Sequence, residues 1–402
     1  MSKISTDQEK IQELLSRGVE NIYPSKGFLE KKLKNGEQLT LYLGIDPTGP
    51  TLHIGHIIPM EKLRQFQELG HKIVLLIGDF TGTVGDPTDK AATRKPLTHK
   101  QVLQNAKDYK KQATTILNFS GENKVELQYN STWHNKMNFS DVLNLSTNFT
   151  VQQLLERDMF QERIKAGKPI HLHEFMYPVL QAYDSVAMDV DGEVGGNDQT
   201  FNMLSGRTLM KSLSKKEKFV VTMKLLVDPS GKKMGKTEGN MLALTDSAKD
   251  MFGKVMSWTD GMITDAYELC TRLPMSEIKK IGKELKAGKN PRDYKFRLAQ
   301  EITSIYHGEA KAKKAADEFV KIFAKGGKPD EIKKHKIKTG SMSPVELLFV
   351  LDLVSSKGEA RRLIEGGGMR INDEKLSSWK ENVKIKSGDI VQAGKRKFAQ
   401  IK

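Results

Sequence analysis

Residues 41–56, LYLGIDPTGPTLHIGH, constrain this chain more than any other stretch. Tyr42, Leu43 and Ile45 lie in a short β-type run, and Asp46, Pro47, Thr48, Gly49 and Pro50 are turn formers that stop it. An amphipathic run from His53 to Leu69 follows, with Gly70 as a C-cap signal. Pro59 is acceptable only in a first turn, so the regular helix is expected to begin near His56 or Ile57. A second apolar run, 72–77, comes directly after. The pattern predicts a βαβ unit whose first loop faces a helix N-terminus, and so an α/β fold with a parallel sheet.

That geometry suits a nucleotide. Backbone N–H groups at a helix start favour negative charge. Gly55 removes a side chain where a flat base could approach the backbone. His53 and His56 are three apart; if both are helical they share a face and could donate to phosphate oxygens. The loop is neither a GxGxxG dinucleotide fingerprint nor a Walker GxxxxGK[ST]. Two blander readings stand beside this one. The histidines could be a capping pair, or two ligands of a metal. The metal lacks a third ligand of suitable type nearby, and the lone cysteine, Cys270, lies far along the chain.

The 402 residues suffice for two or three domains, and 38% hydrophobic with 29% charged residues is ordinary for a soluble protein. There is no run of eighteen apolar residues, and residues 1–20 are charged and helix-like without an apolar signal core. One cysteine excludes an internal disulfide and fits the cytoplasm. Net charge is +15. Evenly spread lysine would point to solubility alone. Here Lys333, Lys334, Lys336 and Lys338 cluster, as do Lys395, Arg396 and Lys397, which points to RNA as a partner.

Residues 4–36 read as two short helices. The second strand of the βαβ unit runs into a glycine-dense loop, 78–87, at the end of a parallel strand, where open α/β sheets bind ligands. Residues 98–118 predict a helix, 124–130 a strand and 133–167 mostly helix. This part shows no obvious chemistry, so a structural role, including a dimer surface, is expected of it. Tyr177, Gln181 and Asp184 then lie at i, i+4 and i+7, with Pro178 suited to a first helical position. A polar stripe is usually a solvent face. The rest of this helix is largely apolar, however, and a buried polar stripe would line a hydrogen-bonding pocket. A second glycine-rich loop, 192–199, follows, then an apolar run, 219–227, and the lysine loop 232–237. Residues 245–325 are helical patterns. The tail from Ser343 reads as two short helices and a small β set, with Arg361 and Arg362 on the second helix.

The LHIGH stretch resembles the HIGH signature of class I aminoacyl-tRNA synthetases, and Lys233-Met234-Gly235-Lys236-Thr237 resembles their KMSKS signature. The whole chain resembles the bacterial tyrosyl-tRNA synthetases. The resemblance implies a Rossmann-like parallel-sheet catalytic domain over 1–230 with an inserted segment near 110–170. It also implies the mobile lysine loop with an α-helical anticodon-binding domain over 231–330, a basic linker over 331–342, and a small α+β RNA-binding module of the S-four type over 343–402. Tyr42 and Asp184 match the pair that holds the phenol hydroxyl of the substrate. Tyr177, Gln181 and Asp86 match residues on its amino group, and Gln199 a further pocket residue. Gly44, Asp46, Thr48, His53, Gly55, His56, Gly196 and Asp198 fall on the ATP side, with Lys233, Lys236 and Thr237 in the mobile loop. Arg361, Arg362, Lys395, Arg396 and Lys397 are assigned to RNA. Two departures stand out: the loop reads KMGKT, and Glu193 replaces a glutamine of some relatives.

The chemistry implied is tyrosine activation by ATP and transfer to tRNA. Thr48, His53, Lys233 and Lys236 would serve the charge on the phosphates, and His56, with Gly55, would hold the nucleotide; Thr48, His53, His56, Lys233 and Lys236 are together the candidate catalytic residues. Mg²⁺ would accompany ATP with no dedicated protein metal site. If Tyr42 and Asp184 are buried around a hydroxyl, phenylalanine leaves them unpaired, a rule for which tyrosine-activating synthetases are themselves the worked case. The family implies a symmetric dimer. Competing readings are a tryptophan-activating sister enzyme, a non-catalytic RNA-binding relative and a generic nucleotidyltransferase. The Tyr42–Asp184 pair argues against the first, and His53, His56, Lys233 and Lys236 against the second.

Overall fold

The computed structural model describes residues 4–88, 97–231, 234, 241–324, 332–337, 339–394 and 397–402. Two compact units form, residues 1–247 with 254–306, and residues 248–253 with 307–402.

The strands of the first unit are β1 (Val19–Tyr23), β2 (Thr40–Ile45), β3 (Lys72–Ile77), β4 (Glu126–Tyr129), β5 (Gly192–Gly196) and β6 (Phe219–Met223). They form one sheet in the order β1-β6-β5-β2-β3-β4, parallel except for β1 against β6. β6 is buried along its length and β3 at all but its first residue, as strands covered on both faces require. The first helices are α1 (Gln8–Leu14), α2 (Lys26–Lys34), α3 (Ile54–Glu68) and the single turn α4 (Thr81–Val84). β1 is a strand that the reading of two helices over 4–36 lacks. Its burial does not alternate, because a bulge between Val19 and Asn21 breaks its register on β6.

Between β3 and β5 come α5 (His99–Ala106), α6 (Tyr109–Ala113), α7 (Ser131–His134), α8 (Phe139–Ser146), α9 (Val151–Leu155) and α10 (Asp158–Lys165). Then come α11 (Leu172–Ala187) and α12 (Thr200–Leu213), which pack on each other. α13 (Ala248–Met256), α14 (Ile263–Cys270), α15 (Met275–Lys286) and α16 (Pro291–His307) follow. Arg17 ties α1 to the end of α14, donating to the backbone oxygens of Glu268, Thr271 and Leu273.

Two prolines sit deeper in their helices than expected. α3 begins at Ile54, so Pro59 lies inside it. The start is set upstream by His53, whose Nδ1 accepts from Gly55 N–H while His56 Nδ1 accepts from His53 N–H. Pro59 removes the bond to the Gly55 carbonyl, and Gly55 is exposed, so water can take its place. Pro178 likewise lies inside α11, not at its first position. There Glu174 accepts from His171 N–H and from Arg163, which fixes the helix start a turn earlier.

The second unit carries α17 (Glu309–Ala324), β7 (Lys333–His335), β8 (Gly340–Met342), α18 (Pro344–Val350), α19 (Lys357–Glu365) and strands β9 (Met369–Ile371), β10 (Glu374–Leu376), β11 (Val383–Ile385), β12 (Ile390–Ala393) and β13 (Lys397–Ile401). A sheet in the order β10-β9-β12-β13-β7 packs with α18 and α19 around Leu347, Leu348, Ile364, Met369, Val391 and Ile401. The lysine-rich stretch read as a linker thus contributes β7, parallel to β13, and β8, paired with β11.

Candidate active site

β2 is the inner strand from which the chain order runs outward both ways, to β3 on one side and β5 on the other. It stays paired with β3 through Ile45↔Ile77, but with β5 only at Leu41↔Gly192 and Tyr42↔Glu193. Above those pairs the two strands part. Such a divergence at the carboxyl ends of parallel strands is a ligand crevice. Gly44 is exposed there although its strand is interior.

α3 opens on this crevice. His53 is the N-cap in extended conformation, so it is not helical as the shared-face reading requires. Its ring nevertheless stacks on His56 with centroids 4.0 Å apart. Because each Nδ1 accepts a backbone N–H, each proton is placed on Nε2. Burial and then His53 hold the His56 pKa well below the usual value. The pair is therefore a capping pair and also a neutral donor pair. Thr48 is exposed in the preceding turn, its N–H on the Asp46 carbonyl.

Asp46 accepts from Thr81 Oγ1 at 2.7 Å and from the Tyr177 hydroxyl at 2.9 Å. Burial pushes its pKa up to about 7, against those two hydrogen bonds. Gly78 is obligatory beside it: a Cβ there would lie 1.9 Å from Asp46 Oδ1 and 2.4 Å from Thr81 Oγ1. Asp86 accepts from Gln199 Nε2 at 2.7 Å, and Arg157 stands 3.7 Å from its other oxygen. Asn202 in turn donates to Gln199 Oε1 at 2.9 Å. At Gly196 a Cβ would lie 2.5 Å from Asp198 Oδ1, so the strand end and the following turn approach closely.

α11 brings Tyr177, Gln181, Asp184 and Ser185 to one side. Asp184 is 3% exposed, and its Oδ1 accepts from both Trp133 Nε1 and His134 Nε2 at 2.8 Å. Asn130 donates to Oδ2 at 3.3 Å, to Thr81 and accepts from Phe80 N–H. Burial raises the Asp184 pKa, and His134, Trp133 and Asn130 oppose the rise. Tyr42 is fully buried, with its hydroxyl 2.9 Å from Ser185 Oγ. Burial, then Glu193 and Asp184, hold its phenol well above the usual pKa. Tyr177 is shifted the same way, by burial and Asp46.

Under this pocket lies a charge pair. Lys218, fully buried just before β6, bonds Glu193 of β5 and donates to Ser185 Oγ at 2.7 Å and the Met203 carbonyl at 3.3 Å. Gln181 Nε2 donates to the other Glu193 oxygen at 3.0 Å. Burial lowers the Lys218 pKa and Glu193 opposes it. Removing one partner of such a pair costs about 3–5 kcal/mol, because the other charge is left alone.

The structure thus holds these residues in three hydrogen-bonded groups: Tyr42 and Gln181 through Ser185, Lys218 and Glu193, then Asp46, Tyr177 and Asp184 through Thr81 and Asn130, and Asp86 with Gln199. Lys233, Lys236, Thr237, Lys395 and Arg396 lie outside the described residues. Within the lysine loop Met234 N–H bonds the Leu226 carbonyl; past it, the Leu242 carbonyl accepts from Ile54 N–H and Leu244 N–H bonds the Leu52 carbonyl, so residues 242–244 dock at the start of α3. Arg361 and Arg362 are exposed on α19, Arg361 over the Trp379 ring at 4.8 Å; Lys397 reaches the Leu353 carbonyl. Residues the sequence reading passed over are Asn130, Trp133, His134 and Arg157 of the insertion, with Ser185 and Lys218. Polar residues at i, i+3 and i+4 just past β4 were the available signal for the first three. A separate cavity of about 250 Å³, lined by Arg17, Glu61, Lys62 and Glu268, contains none of the site residues.

Residues 34–324 match the model of the family described as tRNA synthetases class I (W and Y). The chain is a class I tRNA synthetase of this family. The tyrosine–tRNA ligase of Haemophilus influenzae is 44% identical over 398 residues, covering 99% of this synthetase and 98% of the relative. Tyrosine–tRNA ligase 2 of Clostridium acetobutylicum is 42% identical over 393 residues, 96% and 97% of the two chains. Among solved structures, a C-terminally truncated mitochondrial tyrosyl-tRNA synthetase of Coccidioides posadasii aligns with a TM-score of 0.63 at 25% identity, covering 77% of this synthetase and 92% of that chain. A tyrosyl-tRNA synthetase of Archaeoglobus fulgidus, complexed with L-tyrosine, shares the fold with a TM-score of 0.60 at 20% identity.

Proposed function

We propose that this chain is a tyrosine–tRNA ligase, which activates L-tyrosine with ATP and passes it to its tRNA. One observation carries the reading: a near-full-length match to tyrosine–tRNA ligases in a chain whose crevice is lined by buried hydroxyl-recognising groups. In the first step the tyrosine carboxylate attacks the α-phosphorus of ATP in line. The bond to the β,γ-unit breaks and pyrophosphate leaves. A carboxylate is already ionised at neutral pH, so no general base is required, and catalysis rests on positioning and charge stabilisation.

In this reading Tyr42 and Asp184 take the phenol hydroxyl, and Tyr177, Gln181, Asp86 and Gln199 surround the ammonium end. Gly44, Asp46, Gly55, Gly196 and Asp198 shape the nucleotide side. Thr48, the Nε2–H groups of His53 and His56, and the loop residues Lys233, Lys236 and Thr237 meet the phosphates. Mg²⁺ enters with ATP. Arg361, Arg362, Lys395, Arg396 and Lys397 contact tRNA, and the cytoplasm is where tRNA and ATP are found. A symmetric dimer completes the picture, supported by Phe139, Leu143, Val151, Ile164 and Leu172, large apolar side chains exposed within 139–172. Sedimentation should then give twice the chain mass.

ATP–pyrophosphate exchange with each of the twenty amino acids tests the reading. Exchange with tyrosine alone is expected. Exchange with tryptophan would overturn the pocket assignment. No exchange at all, in folded protein that binds tRNA, would favour an RNA-binding role.

A further inference from the structure

Lys218 stands where no substrate group is expected, yet it touches both arms of the pocket. An ammonium only donates hydrogen bonds, and its three protons meet Glu193, Ser185 and the Met203 carbonyl. Its place is built in. A Cβ on Gly206 of α12 would lie 2.5 Å from Lys218 Nζ and 2.8 Å from Ser185 Oγ, so only glycine leaves room.

Two consequences follow from donor and acceptor counting. At one arm, both Glu193 oxygens accept, one from Lys218 and the other from Gln181, so Gln181 turns its NH₂ toward it. The amide oxygen of Gln181 is thereby left to face away from Glu193, as an acceptor. A glutamine at 193 would allow either orientation of the amide. At the other arm, Ser185 is fully buried and accepts from Lys218. Among the described residues Tyr42 is its other hydrogen-bond partner, so with Lys218 donating to Ser185 the Ser185 hydrogen goes to the Tyr42 oxygen. The Tyr42 hydrogen is then left to donate, toward the Glu193 carboxylate in this structure, which a phenol oxygen would replace as acceptor.

We propose that Lys218 is a positioning residue for the amino acid substrate, setting hydrogen-bond direction at both ends of its pocket: Gln181 as acceptor for the ammonium, and Tyr42 as donor to the phenol oxygen. The phenol hydrogen then goes to Asp184, a carboxylate that can only accept. This deepens the tyrosine reading above and rests on it.

The test is tyrosine- and phenylalanine-dependent pyrophosphate exchange on the full-length protein. Lys218→Met alone strands a buried carboxylate and can unfold the chain, so the decisive variant is Glu193→Gln with Lys218→Met, in which both charges are gone. It should melt near wild type and keep kcat and the KM for ATP within about threefold. Its KM for tyrosine should rise roughly tenfold or more, and its preference for tyrosine over phenylalanine should fall by at least about tenfold. Ser185→Ala should weaken the response to tyrosine and leave that to phenylalanine unchanged, because only the phenol arm is cut. A double variant with wild-type tyrosine KM and wild-type discrimination would reduce Lys218 to a counter-ion and overturn the proposal. So would equal losses for tyrosine, phenylalanine and ATP. If the wild-type protein does not exchange with tyrosine, the underlying reading fails before any variant is compared.

Discussion

Single carboxylates carry much of this site, and each is held by several donors. Asp184 is the clearest. Trp133, His134 and Asn130 converge on it before any substrate is present. Asp184→Ala should therefore raise the KM for tyrosine strongly and weaken rejection of phenylalanine. It should also lower stability by about 3 kcal/mol, since buried donors lose their acceptor. Unchanged tyrosine kinetics would remove Asp184 from the phenol site, whatever the melting temperature did. Asp46 gives a pH signature. Burial pushes its pKa up to about 7, whereas the ordinary value is 3.8. The folded chain keeps this proton where the unfolded chain has lost it. The contribution to stability is full below about pH 4 and is lost as pH rises to about 7. Melting curves of wild type and Asp46→Asn across that range should diverge, with wild type falling relative to the variant. Parallel curves would show that Asp46 does not hold its proton in the fold.

Among elements, the loops at the carboxyl ends of β2 and β3 pack closely on each other. The β3 loop passes so close to Asp46 that Gly78→Ala forces backbone and side chain apart. We expect a loss of about 1–3 kcal/mol in urea unfolding, with a higher KM for tyrosine because Tyr177 hangs on the same carboxylate. Wild-type unfolding and kinetics in that variant would mean the loop yields freely. α3 and α11 show how far element boundaries can be read. Their apolar periodicity marks them, but Pro59 and Pro178 displace the expected starts. The true starts depend on the His53–His56 and His171–Glu174 contacts, in which side chains close on backbone three residues away.

At the scale of the molecule, the C-terminal region has its own apolar core, drawn from residues 345–401, with Ile337 and Met342 packed against it. Removing residues 343–402 should therefore leave adenylate formation near normal and weaken aminoacylation several-fold at limiting tRNA. The two half-reactions measured side by side decide this. An equal fall in both would make the region a structural support of the catalytic fold.

Local periodicity and turn chemistry were enough to read the βαβ unit, the glycine loops and the polar stripe on α11, because each is written within a few neighbouring residues. The site positions proposed from Tyr42 to Gln199 came through the resemblance to the synthetases, whose signatures are likewise short. Lys218 was legible in neither way. It ends a charged run, Lys215, Lys216, Glu217, Lys218, of the kind that solvent normally covers. It is buried because β6 pairs with β5, placing Glu193 opposite Val220, and because Gly206 of α12 leaves a space for its ammonium. Asn130, Trp133 and His134 were hidden likewise: their acceptor, Asp184, lies some fifty residues further on. Burial and charge pairing are relations between distant segments, and only the folded chain brings their two halves within hydrogen-bonding distance.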